Sequence, residues 1–236
     1  MLYITGMEPA ANQHITIVGC GPGAAEYLTA AAQSAAADAM VLAGAPRLLQ
    51  LFPTFTGERL AVDAAIENTL TAIAQRVAAG ARVTVLVTGD PGLCSLAQPI
   101  LRRFGREACR IIPGVSSVQM ACARLGLDWT AARIISAHAA MPAVDPRALA
   151  DISPVLVLGG NRKSWPWILA AADHLASTHR LTLCRNLTLP DEELRELTPA
   201  DLRALPPGAG SSVLVWVKRP EESNPIPMTT VNLVDR

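Results

Sequence analysis

Asp90 is the only acidic side chain in three short loops rich in glycine and proline: Gly19-Cys20-Gly21-Pro22-Gly23, Gly89-Asp90-Pro91-Gly92 and Pro113-Gly114-Val115-Ser116-Ser117. Each loop follows a β-branched run (residues 15–18, 83–87 and 111–112) and precedes a helical pattern. That arrangement predicts three carboxyl ends of parallel strands, the place where open α/β sheets bind ligands. Glycine lets backbone approach a ligand closely, and proline fixes the turn while removing an N–H donor. Such loops suit a ligand read by carbonyls and shape better than one held in a phosphate cradle.

Gly19-Cys20-Gly21-Pro22-Gly23-Ala24 formally matches the dinucleotide fingerprint. The fingerprint also expects an acid at the end of the second strand to hold a ribose, about 20 residues on. Here that strand ends Ala43-Gly44, with Asp38 at its other end. Pro22 removes a donor from the loop that would face pyrophosphate, and no glycine loop is followed by Lys and Ser or Thr, so a Walker loop is excluded. A nucleoside without phosphates remains, and S-adenosylmethionine is the commonest of that kind.

At this point the residues carry a resemblance. The Gly-x-Gly-Pro-Gly strand end with Glu26-Tyr27-Leu28-Thr29, the Gly89-Asp90-Pro91-Gly92 loop and Ile112-Pro113-Gly114-Val115-Ser116-Ser117, in this order, resemble the tetrapyrrole (corrin/porphyrin) methyltransferases of class III fold. Gly44-Ala45-Pro46-Arg47, the 113–127 stretch, Ser136-Ala137-His138 and Arg185-Asn186-Leu187 with Pro190-Asp191-Glu192 are similar to the branch that methylates C5 of a (cobalt-)precorrin in cobalamin biosynthesis. The resemblance spans about residues 14–218. Leu93-Cys94-Ser95 stands where that branch usually has an aromatic and a glycine, and Ala139 where it usually has glycine after the histidine.

The resemblance implies two α/β domains with the cofactor in the cleft between them, S-adenosylmethionine as donor and S-adenosylhomocysteine as product. Gly21, Pro22, Gly23, Gly89, Asp90, Pro91, Leu93, Ser116, Ser117 and Leu187 would bind the cofactor. A precorrin carries many carboxylates, so Arg47, Arg124 and Arg185 are the candidates to pair with it. Asp90 and His138 are the candidates for a catalytic role. Each has a second reading: Asp90 opens a type I turn, His138 is structural, and Ser116 and Ser117 cap a helix. The resemblance further implies a homodimer and a separate enzyme for C15 methylation and decarboxylation. Other acceptors of the same family (uroporphyrinogen-III, rRNA, a protein) and a non-catalytic nucleotide-binding module stay open as alternatives.

Methyl transfer to carbon needs collinear donor and acceptor in a dry cleft more than it needs a nucleophilic side chain. The elements around the loops must therefore be rigid. The pattern predicts strands at 15–18, 40–43, 83–87 and 132–136, with helices from Thr29, at 47–52, 62–79 and 96–104, and from Ser116 or Ser117 to Gly126. Residues 139–146 have linker composition. Beyond them come strands at 154–158, 180–184, 192–197 and 212–217 and helices at 164–177 and 199–204. This gives an extension (1–13), a mostly parallel N-terminal α/β domain (14–140), a mixed C-terminal α/β domain (147–218) and a tail (219–236).

Composition sets the outer limits. The 236 residues are 50% hydrophobic and 17% charged, which predicts an ordered α/β protein. Twenty basic residues balance twenty acidic ones, so there is no global field to attract nucleic acid or an anionic membrane. The five cysteines have no framework spacing and read as free thiols of a reducing compartment, the cytoplasm. No apolar run reaches the roughly 18 residues of a membrane span. The four histidines are not spaced as a metal site.

Overall fold

The computed structural model describes residues 14–62, 65–207 and 212–220. The extension at 1–13 and residues 221–236 of the expected tail lie outside the described residues.

The first half builds one parallel sheet. Its elements are β1 (Ile15–Gly19), α1 (Ala30–Ala37), β2 (Val41–Gly44), α2 (Pro46–Leu49), β3 (Glu58–Ala61), α3 (Ile66–Ala78), β4 (Val83–Val87), α4 (Ala97–Phe104), β5 (Cys109–Ile112) and α5 (Ser117–Leu125). Strand order is β3-β2-β4-β1-β5, and every pair is parallel. β4 is buried along its whole length because apolar clusters cover both faces of the sheet. On one face Ile17, Val85 and Ile73 pack together; on the other Val18, Leu42 and Leu86 meet Ala32 and Ala36 of α1. Thr29 caps α1, its hydroxyl accepting from Ala32 N at 3.1 Å.

Two local expectations change. β3 carries no period-two signal, being exposed at three of its four residues; pairing with β2 and the Arg59 side chain hold it. The Arg59 guanidinium donates to the carbonyls of Leu49 and Phe52 at 2.6 Å, tying this edge strand to α2 and the turn after it. α3 starts at Ile66 instead of residue 62, because Val62 N extends the β2–β3 ladder to Gly44 O at 3.0 Å.

The second sheet is formed by β6 (Arg133–Ser136), β7 (Val155–Leu158), β8 (His179–Arg185), β9 (Glu193–Leu197) and β10 (Ser212–Lys218), with α6 (Trp165–Leu175) and α7 (Pro199–Ala204). Its order is β6-β7-β10-β8-β9, with β6 and β7 parallel and the other pairs antiparallel. The sequence reading places β6 in the N-terminal domain, yet it pairs with β7. The change of sheet therefore falls between α5 and β6, ahead of the 139–146 stretch. Composition marks a loop, whereas sheet membership is decided by pairing between distant segments.

Side chains alternate across this sheet. Val155, Val157, Leu181, Leu183, Leu214 and Trp216 pack against α6 and α7. Leu156, Cys184, Val213 and Val215 face the other way, onto Val118, Ala121 and Cys122 of α5. The helix that follows the third glycine loop is thus shared, closing the first sheet's loops onto the second sheet. No helix among the described residues is long and apolar enough to cross a membrane.

Candidate active site

β4, β1 and β5 are adjacent in the first sheet and parallel, with Gly19 opposite Val87 and Val18 opposite Ile112. The three glycine loops therefore leave the sheet side by side. They touch through backbone. Gly21 and Gly89 form an antiparallel bridge, Gly89 N donating to Gly21 O at 2.7 Å and Gly21 N to Gly89 O at 3.3 Å. A Cβ on Gly19 would stand 2.6 Å from both Gly114 N and Gly89 O, and one on Gly114 would stand 2.5 Å from Gly89 O. Glycine at 19 and 114 is required by contact. Glycine at 89 answers to its φ of +67°.

Asp90 completes the junction. Its Oδ1 accepts from Gly92 N at 2.7 Å and its Oδ2 from Gly114 N at 3.1 Å, while Leu93 N donates to Asp90 O at 3.1 Å. The carboxylate is thus both a turn former and a tie between the second and third loops. Ser116 caps α5 in a reciprocal capping box with Gln119, its hydroxyl accepting from Gln119 N and its own N–H donating to Gln119 Oε1. Ser117 is the first residue of that helix and is half-buried.

These bonds decide what the loops can offer a ligand. The N–H groups of Cys20, Gly21, Ala24, Gly89, Gly92, Gly114 and Ser116 are all spent within the protein. Pro22 and Pro91 have none to give. A pyrophosphate needs a fan of free donors at such a turn, and most of the junction's amides are already committed. Beside it, Tyr27, Leu93, Val115 and Leu187 belong to the apolar cluster between α5 and the second sheet. Compact backbone with spent donors beside an apolar wall suits an uncharged or cationic nucleoside.

A profile of the Tetrapyrrole (Corrin/Porphyrin) Methylases matches residues 14–203, from β1 through α7. The chain belongs to this family. Among curated members of the tetrapyrrole methylases, the cobalt-precorrin-7 C(5)-methyltransferase of Salmonella typhimurium is 40% identical over 124 residues, covering 52% of this chain and 61% of that one. The precorrin-6Y C(5,15)-methyltransferase [decarboxylating] of Mycobacterium tuberculosis is 30% identical over 196 residues, covering 82% of this chain and 48% of that one. The chain thus spans less than two thirds of the length of either relative. The uroporphyrin-III C-methyl transferase of Thermus thermophilus, solved in complex with S-adenyl homocysteine, superposes with a TM-score of 0.68 at 19% identity, covering 86% of this chain and 96% of that one. That likeness establishes the shared class III methylase fold of two α/β units.

The remaining candidates lie around this tetrapyrrole-methylase core. Arg47 sits exposed on α2, where its Nη2 donates to Thr88 Oγ1 at the head of the second loop. Arg124 on α5 is committed elsewhere: Nε meets Glu192 Oε1 at 2.7 Å and Nη2 meets Oε2 at 3.3 Å. The hydrogen bond to Glu192 raises the Arg124 pKa above its ordinary value. Arg185 pairs with Glu193 through Nη2, and its buried Nε has no partner among the described residues. Leu187 is buried between two residues in the left-handed region, Asn186 at φ +51° and Thr188 at φ +70°. His138 is exposed after β6, with Nδ1 3.1 Å from Gly159 O.

Sequence reasoning missed Thr188. Its Oγ1 accepts from Ala24 N at 3.0 Å, across 164 residues of chain, and no local pattern signals such a pairing. Glu192 was visible only as part of a matching segment. Its partner Arg124 read as a ligand because an arginine's type is legible and its neutralising carboxylate is not. Cys20, directly under the first loop, is buried, and burial pushes its thiol up to about 12, outweighing the hydrogen bond to Val87 and the charge of Arg47. It is no nucleophile.

Proposed function

We propose that this chain is an S-adenosylmethionine-dependent methyltransferase acting at C5 of a precorrin or cobalt-precorrin in cobalamin biosynthesis. The observation that carries the reading is the junction of three strand-end glycine loops with spent N–H groups, in a chain 40% identical over 124 residues to a C(5)-methyltransferase. The Thermus thermophilus neighbour's bound S-adenyl homocysteine supports the donor.

When bound, the donor supplies a methyl group on a sulfonium. The glycine loops, Asp90, Pro91, Leu93, Ser116, Ser117 and Leu187 would hold it, with Leu93, Leu187 and Tyr27 excluding water. Carbonyls suit a cationic sulfur better than N–H donors do, which agrees with donors consumed internally. C5 of a precorrin is enamine-like and already nucleophilic, so the protein's task is to align it and accept a proton. Gly159 O can only accept, so Nδ1 of His138 is the donor to it, and Nε2 is the ring atom that would take a proton. Of the three arginines, Arg47 is best placed to receive an acceptor carboxylate. Arg124 is neutralised by Glu192, and Arg185 is paired with Glu193.

The test is incubation of the purified chain with S-adenosylmethionine and precorrin or cobalt-precorrin substrates, read by mass and NMR for one added methyl at C5. S-adenosylmethionine and S-adenosylhomocysteine are expected to raise the melting temperature by mass action, and NAD is not. A shift with NAD alone overturns the reading of the loops. Sedimentation tests the accompanying proposal that the chain is a homodimer: a monomer at tens of micromolar (roughly, from common dimer affinities) overturns it.

A further inference from the structure

A network of hydrogen bonds through the loop between β8 and β9 ties the exit of the first glycine loop to α5. Ala24 N donates to Thr188 Oγ1, Thr188 N donates to Glu192 Oε2, the Glu192 carboxylate accepts twice from Arg124, and Tyr27 N donates to Ala24 O at 3.1 Å. The network joins both sheets, since Ala24 follows β1, Arg124 lies on α5, and Thr188 and Glu192 follow β8. It is tight: a Cβ on Gly23 would lie 2.8 Å from Leu189 Cδ2 and 3.2 Å from Thr188 Oγ1.

Thr188 occupies this place at a cost. A β-branched residue at φ +70° is in a region that glycine or asparagine enters far more easily. Strain kept at such a site points to a task for the side chain. Here the task is visible: without the hydroxyl, Ala24 N loses its acceptor, directly after the Gly21-Pro22-Gly23 turn.

We propose that Thr188 is a positioning residue, whose backbone is held by the Glu192–Arg124 pair and whose hydroxyl fixes the shape of the Gly21-Pro22-Gly23 turn for the nucleoside. The proposal rests on the reading of the three loops as the S-adenosylmethionine site. Thr188 need not touch the ligand, because its action passes through Ala24.

Titration calorimetry with S-adenosylhomocysteine, run beside urea unfolding, tests this with Thr188→Ser, Thr188→Val and Thr188→Gly. Serine keeps the hydroxyl and is expected to bind as the parent does. Valine and glycine lose it and are expected to bind more weakly, by about three- to tenfold for one neutral hydrogen bond. Glycine also relieves the strain, so Thr188→Gly should unfold at the same or higher urea while binding worse, which a merely structural role would not produce. Parent-like binding by Thr188→Gly overturns the proposal and leaves the site reading standing. Equal loss in all three variants, serine included, also overturns it. A parent chain that does not bind S-adenosylhomocysteine overturns the site reading and the proposal together.

Discussion

The Asp90 carboxylate accepts the Gly114 amide at 3.1 Å, so the turn after one strand is tied to the turn after a strand two positions away in the sheet. With Gly92 N on its other oxygen at 2.7 Å, Asp90 spends both oxygens on backbone. Asp90→Ala therefore strands two donors, and Asp90→Asn strands one, since its amide nitrogen cannot accept. Hydrogen bonds to a charged group contribute about 1.5–3 kcal/mol each, so both variants should lose stability, alanine more than asparagine. Urea unfolding ranks them. An asparagine variant as stable as the parent would remove the tie to Gly114 from the account.

The glycines at the junction should separate by cause. Gly19→Ala and Gly114→Ala place a methyl 2.5–2.6 Å from backbone atoms of the neighbouring loops, which cannot swing aside as side chains do. Both should abolish S-adenosylhomocysteine binding and destabilise by about 1–3 kcal/mol or more. Gly89→Ala meets nothing nearer than 3.5 Å and suffers only its φ of +67°, worth about 1–2 kcal/mol. If Gly19→Ala binds the nucleoside as well as Gly89→Ala does, the close approach of the loops is not what shapes the site.

What the sequence made legible here was local. A β-branched run ending in glycine announces a strand and its loop, and the three loops appear where that signal puts them, as do the Thr29 and Ser116 caps. What it concealed was pairing at a distance. β3 is an exposed edge strand with no alternation to read, held by β2 and by Arg59. β6 looks like the last strand of the first unit until its partner β7 is known. The same limit governed the arginines: Arg47, Arg124 and Arg185 look alike in sequence, and only the fold sets carboxylates beside two of them.

Cysteine chemistry offers a probe of the cleft. Cys94 is exposed beside Leu93, whereas Cys20, Cys109, Cys122 and Cys184 are buried. Burial raises the pKa of all four, pushing Cys20 and Cys184 up to about 12. A soluble thiol reagent near pH 8 should therefore label Cys94 alone in the native protein, with the others following only on unfolding. S-adenosylhomocysteine should slow that labelling, because Leu93 belongs to the proposed nucleoside wall. Peptide mass mapping reads both effects, and a Cys94 rate indifferent to saturating ligand would move the nucleoside away from the second loop.

Glu192 gives the hydrogen-bond network around Thr188 an acid limit. Its carboxyl is held below the usual glutamate range, first by the hydrogen bond from Arg124 and next by the Thr188 amide. A group whose pKa is depressed on folding contributes stability that is present above its unfolded value, about 4.3 for glutamate, and is lost as pH falls through the lower folded value. Arg124, with its pKa raised, stays charged throughout. Glu192→Gln should therefore be less stable than the parent by a constant margin from about pH 7 down to about pH 5, and the margin should shrink as the parent's carboxyl protonates. Asp128 and Asp201, also held low by hydrogen bonds from Thr130 and Thr198, weaken parent and variant alike on acidification. The difference between the two urea midpoints then isolates Glu192. A margin unchanged between about pH 7 and pH 3 would mean that the charge of Glu192 does not hold the two sheets' loops together.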